Sequence, residues 1–370
     1  MVGQADTPLI LARPLSRHLP LPFDEFSFLP FVMYSVLVVG CGSIGERHLR
    51  CFQKTGRANV SGCDPSQELR STLADQYNVK MHADYEKALN EISDAVVICT
   101  PPPLHIPMAL AALRAGKHVL IEKPLAVDLN EIPALQKAVA ESGTQIAVAY
   151  VQHTFPFLTA AREFLKSNAL GDIKHVTFSG GGHFPTGRPA HTAHYSQTYY
   201  ARRETGGGVI QDAITHTANF VESVIGPTDS LYCDCAHQAL PRVDIEDTVN
   251  ISARHGEVLV SYALNQFQAP SESTLQFHTA EGTVKIEYHH QRWGVLMLGE
   301  ENWTWHDGAV PDRDSHFQDQ AAAFLDQMEG LPARLCSLDD AIQTLRFNLT
   351  ALASADSGQR LNCQDIGPLP

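Results

Sequence analysis

Lys123 stands in Glu122-Lys123-Pro124, and Asp212 and His216 stand in Gly206-Gly207-Gly208-Val209-Ile210-Gln211-Asp212-Ala213-Ile214-Thr215-His216. Residues four apart share one face of a helix, so the carboxylate and the imidazole of the second stretch project together. Joined by the lysine in a cleft, they would make a proton-handling set. Imidazole titrates near neutral pH, and a carboxylate can hold its tautomer or stabilise its charged form. An ammonium stabilises charge developing on oxygen or, once desolvated, acts as a base. Each residue also has a plainer reading: a solvated lysine after a strand, a carboxylate on a helix surface, a core histidine with satisfied hydrogen bonds. Their company favours chemistry.

That company begins where Val36-Leu37-Val38-Val39 runs into Gly40-Cys41-Gly42-Ser43-Ile44-Gly45 and then into a helical pattern. Glycines at this spacing between a buried strand and a helix read as a dinucleotide cradle. Gly40 permits the tight turn, Gly42 lets the backbone approach a pyrophosphate, and Gly45 lets helix and strand pack closely. The amides opening the helix, at Ser43 and Ile44, would face the phosphates. Asp64 lies 19 residues beyond Gly45, at the end of the second strand, where a carboxylate accepts from an adenosine ribose and repels a 2′-phosphate. The following Pro65-Ser66-Gln67 supplies no arginine for such a phosphate, which favours NAD over NADP. Asp64 also fits as a cap of the helix expected from Pro65, and both roles can hold together. Thr100-Pro101-Pro102-Pro103-Leu104-His105 and Glu122-Lys123-Pro124 follow the fourth and fifth strands, at the carboxyl ends where open sheets bind ligands. Glu122 is read as supporting its turn and the cofactor contacts, and His105 as starting its helix beside the cofactor.

The elements that must position these residues follow from periodicity. Buried strands are expected at 36–39, 59–63, 80–82, 94–99, 118–121 and 145–149, with helices at 43–54, 65–77, 84–91, 105–115 and 129–141. Such alternation implies right-handed crossovers and a parallel, doubly wound sheet. After residue 150 come a helix at 156–167, a strand at 173–179, an irregular stretch to 204 and a helix at 208–225. Strand patterns without helices then follow, and final helices at 315–329 and 338–355. The fold class is α/β: an N-terminal Rossmann sheet plus a C-terminal α+β domain with a large, mainly antiparallel open sheet. The run Val258 to Leu264 is apolar on both faces, so a second cover, such as a partner subunit, is expected there.

The 370 residues suit two domains. A formal net charge of −14, without basic clusters, argues against nucleic acid as the main partner. The eight cysteines form no CxxC and read as reduced thiols. Cys233 and Cys235, alternating along a strand, are expected on opposite faces and hence not as a metal pair. Residues 1–32 contain five prolines and no periodic pattern, and read as a disordered arm or a start-site artefact. No apolar run is long enough for a bilayer. The segment 183–203 concentrates His183, Arg188, His191, His194, Tyr195, Tyr199, Tyr200, Arg202 and Arg203. Such groups suit sugar or polyol recognition, and equally a surface loop or subunit contact. His183, Tyr195, Tyr199 and Arg202 are the substrate candidates, and no metal is expected.

In combination, GxGxxG, the acidic residue after the second strand, TPxxxH from Thr100 to His105, EKP from Glu122 to Pro124, and GGGxxxDxxxH from Gly206 to His216 resemble the glucose-fructose oxidoreductase and inositol dehydrogenase family, Gfo/Idh/MocA. The resemblance runs from about residue 34 to the end. It implies a Rossmann domain over 33–152 and a substrate-binding and oligomerisation domain over 153–370. It further implies Lys123 beside the nicotinamide and Asp212 and His216 as the remaining catalytic pair. The implied reaction is hydride transfer between NAD and a secondary hydroxyl of a sugar, cyclitol or derivative. Because the hydroxyl proton must leave with the hydride, a base has to stand beside it; His216 ranks first and Lys123 second. The alternatives are an NAD-retaining glycosidase or epimerase acting by transient oxidation, and a non-catalytic nucleotide-responsive regulator. A cytoplasmic homodimer or homotetramer, joined through the C-terminal sheet, completes the expectation.

Overall fold

A computed structural model describes residues 33–367 except 92–93, 188–193, 309–311, 313 and 333. The expectations for residues 1–32, Arg188 and His191 therefore lie outside the described residues.

The first sheet contains β1 (Tyr34–Val39), β2 (Ala58–Cys63), β3 (Lys80–His82), β4 (Ala95–Ile98), β5 (His118–Ile121) and β6 (Ile146–Val148), in the order β3-β2-β1-β4-β5-β6. All neighbours are parallel. Helices α1 (Ser43–Lys54), α2 (Gln67–Tyr77), α3 (Tyr85–Glu91), α4 (His105–Arg114) and α5 (Ile132–Ser142) make the crossovers. Val36–Val39 and Ala95–Ile98 are buried on both faces, as a doubly covered parallel sheet requires. The strand order reverses between β1 and β4, so the loops after Val39 and Ile98 diverge and leave a crevice at their carboxyl ends. The starts of two helices differ from expectation by two residues or more. Ser66 caps α2, its hydroxyl accepting from the Leu69 amide at 3.3 Å, so Pro65 precedes the helix instead of opening it. Helix α5 starts at Ile132, with Pro133 in its first turn, and ends at Gly143 with φ of 67°.

The second sheet is built from β7 (His175–His183), β8 (Ser230–Ala236), β9 (Thr248–His255), β10 (Val258–Asn265), β11 (Phe267–His278), β12 (Gly282–Glu287), β13 (Arg292–Met297), β14 (Thr304–Asp307) and β15 (Leu361–Asn362). Its order is β14-β13-β12-β11-β7-β10-β9-β8-β15, and β7 with β10 is its parallel pair. Strand β9 alternates buried and exposed positions, the mark of a sheet covered on one face. The covering elements are α6 (Pro156–Lys166), a π-helical turn (Val209–Ile214) continuing into α8 (Thr215–Ile225), and α10 (Leu338–Ser357); the short α7 (Phe184–Gly187) extends β7. Phe157, Phe178, Ile214, Phe220, Phe277 and Phe347 fill the space between. Helix α9 (Ser315–Met328) returns to the first sheet, where Phe324 and Leu325 pack with Phe52 of α1. Leu338, Ala341 and Ile342 of α10 join the other face of that sheet.

One expectation is corrected. Cys233 and Cys235 do not diverge: residues two apart on a strand share a face, and both follow Leu231 inward, Cys233 buried and Cys235 partly so.

Candidate active site

The cradle has the stereochemistry its glycines were expected to serve. Gly40 adopts φ of +80°, and a Cβ on Gly45 would stand 1.9 Å from the Gly40 carbonyl oxygen. A Cβ on Gly42 would meet nothing within 4 Å, so the backbone there is bare toward open space. That space is a cavity of about 470 Å³, lined by Gly42, Ser43, Ile44, Thr100, Pro101, Glu122, Lys123, Tyr199 and His216. Arg47 and Phe317 line it too, the guanidinium 4.8 Å from the ring centroid. Sequence reasoning missed both, because α1 and α9 meet only in the folded chain. Asp64 is buried behind the cradle; its carboxylate accepts from the Cys41 and Ser66 amides, each at 2.9 Å. Arg70, also missed, donates to the Asp64 and Pro65 carbonyls at 2.7 and 2.8 Å.

Lys123 leaves the carboxyl end of β5 and meets Asp212. Its ammonium donates to Asp212 Oδ1 at 2.9 Å and to the Asp212 carbonyl at 3.1 Å. The Tyr199 hydroxyl donates to the same Oδ1 at 2.7 Å. The carboxylate is 4% exposed and the lysine side chain 15%, so solvent screens the pair little. The glycines before the helix explain how Tyr199 arrives: a Cβ on Gly207 would stand 2.1 Å from the Tyr200 carbonyl oxygen, and one on Gly208 2.2 Å from Glu246 Oε1. Only bare backbone lets the 199–205 segment lie against the helix start. Asp212 falls in the π-helical turn, and His216 in the first turn of α8, where its ring meets Tyr150 edge-on at 5.8 Å. Thr215 beside it is fixed by Tyr150 and Asn348, both at 2.9 Å.

A second cavity, of about 410 Å³, opens over the sheet. Asp212 and His216 line it together with Gln152, Phe178, His183, Thr217, Asn265, Gln266, Ser271, Ser273 and Tyr288. His216 therefore belongs to both cavities, and the Lys123–Asp212 pair joins their walls. Phe178, Gly182 and His183 of β7, Leu264 and Asn265 of β10, and Ser271 and Ser273 of β11 contribute to it, and of these only His183 was a sequence candidate.

The remaining sequence candidates scatter. Tyr195 is buried, donates to the Pro241 carbonyl at 2.7 Å, and packs with Tyr200, Leu240, Val243 and Ile245 as a small separate core. Arg202 lies on a different cavity with Arg203, Cys235 and Arg242. His105 is 1% exposed, and its ring nitrogens face the Pro124 and Thr100 carbonyls at 3.0 and 2.7 Å. Burial pushes its imidazole below the ordinary value against the pull of those bonds. Glu122 is buried as well, which alone would raise its pKa. The hydrogen bond from His48 and the neighbouring charges outweigh burial and hold it below the ordinary value. Among the described residues Glu287, His289 and His290 cluster within 4.8 Å, but Arg292 holds the Glu287 carboxylate at 2.7 and 2.8 Å.

Comparison with known proteins bears on the family and the fold. Residues 34–150 match the family described as "Oxidoreductase family, NAD-binding Rossmann fold", and residues 158–285 match the GFO/IDH/MocA C-terminal domain. An oxidoreductase of Formosa agariphila is 30% identical over 37% of this chain, and the chain spans only 44% of that relative. The 1,5-anhydro-D-fructose reductase of Ensifer adhaerens is 24% identical over 87% of this chain and 96% of its own. Levoglucosan dehydrogenase, solved with NADH and levoglucosan, superimposes with a TM-score of 0.77 at 18% identity, covering 90% of this chain and 99% of that one.

Proposed function

This chain belongs to the GFO/IDH/MocA oxidoreductase family, and from that membership we propose that it transfers hydride between NAD and a secondary hydroxyl of a sugar, cyclitol or sugar derivative. The observation that carries the reading is the shared wall: Lys123 lines the glycine cavity, Asp212 the second cavity, and His216 both. The bare Gly42 backbone and the close Gly45–Gly40 contact fit the cofactor.

NAD, when bound, supplies the hydride acceptor or donor. The chain handles the proton. His216 takes it from the hydroxyl, since imidazole has the matching basicity near neutrality. Lys123, its ammonium held by Asp212, stabilises charge developing on the same oxygen. Amides and hydroxyls from Gln152, Asn265, Gln266 and Ser273, with the flat faces of Phe178 and Tyr288, suit a polyhydroxylated substrate of monosaccharide size. The reading includes the division into residues 33–152 for the cofactor and 153–370 for the substrate. It also includes a homodimer or homotetramer through the outer sheet face, where Tyr232 and Leu259 are exposed, and a cytoplasmic location, consistent with the free cysteines. Among the described residues no helix is long and apolar enough to cross a membrane.

A screen of sugars, cyclitols, sugar acids and nucleotide sugars with both nicotinamide cofactors tests the reaction. Lys123→Ala and His216→Ala should each abolish turnover of the substrate so found, with NAD affinity within a few-fold of wild type. Normal turnover in both variants refutes the assignment. Because stranding one member of a buried pair costs about 3–5 kcal/mol, circular dichroism must accompany the Lys123 variant.

A further inference from the structure

Lys123 is tied down on both sides along the chain. On its amino side, Glu122 Oε1 accepts from His48 Nε2 at 2.6 Å, and Glu122 Oε2 accepts from the Lys123 amide at 3.0 Å. On its carboxyl side, the Pro124 carbonyl lies 3.0 Å from His105 Nδ1, and His105 Nε2 lies 2.7 Å from the Thr100 carbonyl. His48 is wholly buried and stands one turn beyond Gly45 on α1, while His105 opens α4. The two imidazoles thus connect the lysine turn to the glycine-rich helix and to the Thr100 loop, the two segments that line the cofactor cavity with it.

Packing alone does not explain histidine at these places. Leucine or phenylalanine would fill either site without the cost of burying a polar ring, whereas each ring here is aimed at a backbone or carboxylate acceptor of the turn. A carboxylate only accepts, so His48 must present Nε2–H; carbonyls also only accept, and burial favours the neutral ring, so His105 donates to one of the Pro124 and Thr100 carbonyls while its other nitrogen rests against the second. We propose that His48 and His105 are positioning residues that lock the Lys123 turn against the cofactor cradle and so set where the ammonium meets Asp212. This inference rests on the reading of Lys123 as the group that stabilises the reacting oxygen. Neither histidine touches a reacting atom; both act through Lys123. A misplacement of the ammonium by even about 1 Å would cost turnover and leave cofactor affinity nearly intact.

The test compares His48→Ala, His48→Gln and His105→Ala with wild type. Amide hydrogen exchange over residues 122–125, read by mass spectrometry, should accelerate at least tenfold in both alanine variants, with exchange in β9 unchanged. The acetylation rate of Lys123 by acetic anhydride should shift at least threefold. With myo-inositol or levoglucosan and NAD, kcat should fall at least tenfold while the NADH Kd stays within threefold. His48→Gln, which restores an N–H donor, should return every readout to within threefold of wild type. Unchanged exchange in both alanine variants overturns the proposal. Faster exchange with unaltered Lys123 reactivity and kcat also overturns it, leaving the histidines structural. Should wild type oxidise neither polyol, the redox reading loses that support, and exchange with Lys123 reactivity still decides the clamp.

Discussion

Asp64 does two jobs with one carboxylate. Its oxygens accept the Cys41 and Ser66 amides, so it ties the cradle turn to the start of α2 before any ribose is considered. Each oxygen keeps a lone pair for a further donor. Arg70 holds the Asp64 and Pro65 carbonyls of the same loop, so a guanidinium would stay beside this strand end once the carboxylate is removed. Asp64→Ala should therefore weaken NADH binding at least tenfold and narrow the preference over NADPH, as read by fluorescence titration with each cofactor. It should also cost about 1–3 kcal/mol of stability, because the buried Cys41 amide and the part-buried Ser66 amide lose their acceptor. Unchanged discrimination would remove Asp64 from the cofactor site. The glycines and Asp64 were legible because their meaning is local: a bond angle, a φ, a strand end. Arg70 was not, because three turn residues were read and the helix that returns the guanidinium lies beyond them.

At the scale of elements, the cradle is one unit of strand, turn and helix whose tolerance is set by a single contact. A methyl at Gly45 would press into the Gly40 carbonyl at 1.9 Å, where the obstacle is backbone and cannot swing aside. Gly45→Ala should lower stability by about 1–3 kcal/mol and abolish detectable NADH binding by calorimetry. Wild-type affinity in a folded Gly45→Ala protein would show that the helix does not need that approach. The helix that carries Asp212 and His216 behaves differently. The four-residue spacing placed Asp212 and His216 on one face of a regular helix, whereas Val209–Ile214 winds as a π-turn. Such turns recur at functional sites, and nothing in the local sequence distinguishes them from α-helix. The misreading of Cys233 and Cys235 was of another kind, a slip in strand periodicity that the inner-face burial of β8 corrects.

In the whole molecule, the chain's last helices tie the two sheets together: α9 packs on the first, and α10 reaches both. Glu222 lies where α8 meets α10. It accepts from Thr344 at 2.7 Å and from Thr228 at 2.9 Å, and burial pushes its carboxyl up to about 7 despite those bonds. Relative to the ordinary 4.5, the folded form holds a proton that the unfolded chain has released. Its contribution to stability is therefore complete below about pH 4.5 and is lost as pH rises through about 7. His153, which burial pushes down to about 4, acts in the opposite sense below pH 6.5. Glu222→Gln isolates the first effect: its Tm should match wild type near pH 5 and exceed it by at least about 2 °C at pH 8. Equal Tm values at both pH values would show that Glu222 is ionised throughout.

What the amino-acid sequence determined by itself is whatever depends on near neighbours. Strand and helix periods placed β1 to β6 and their helices within a few residues, and glycine stereochemistry marked the cradle and the start of the helix that carries Asp212 and His216. Spacing also brought forward Lys123, Asp212 and His216 as a set. Tertiary structure alone decided which long-range partners they take: Asp212 meets Lys123 and Tyr199, two histidines grip the lysine turn, and β7, β10 and β11 wall the second cavity. The physical reason is that backbone propensity acts over a few residues. Side-chain contacts across 89 positions of chain, such as Lys123 to Asp212, exist only once two sheets have been packed against shared helices.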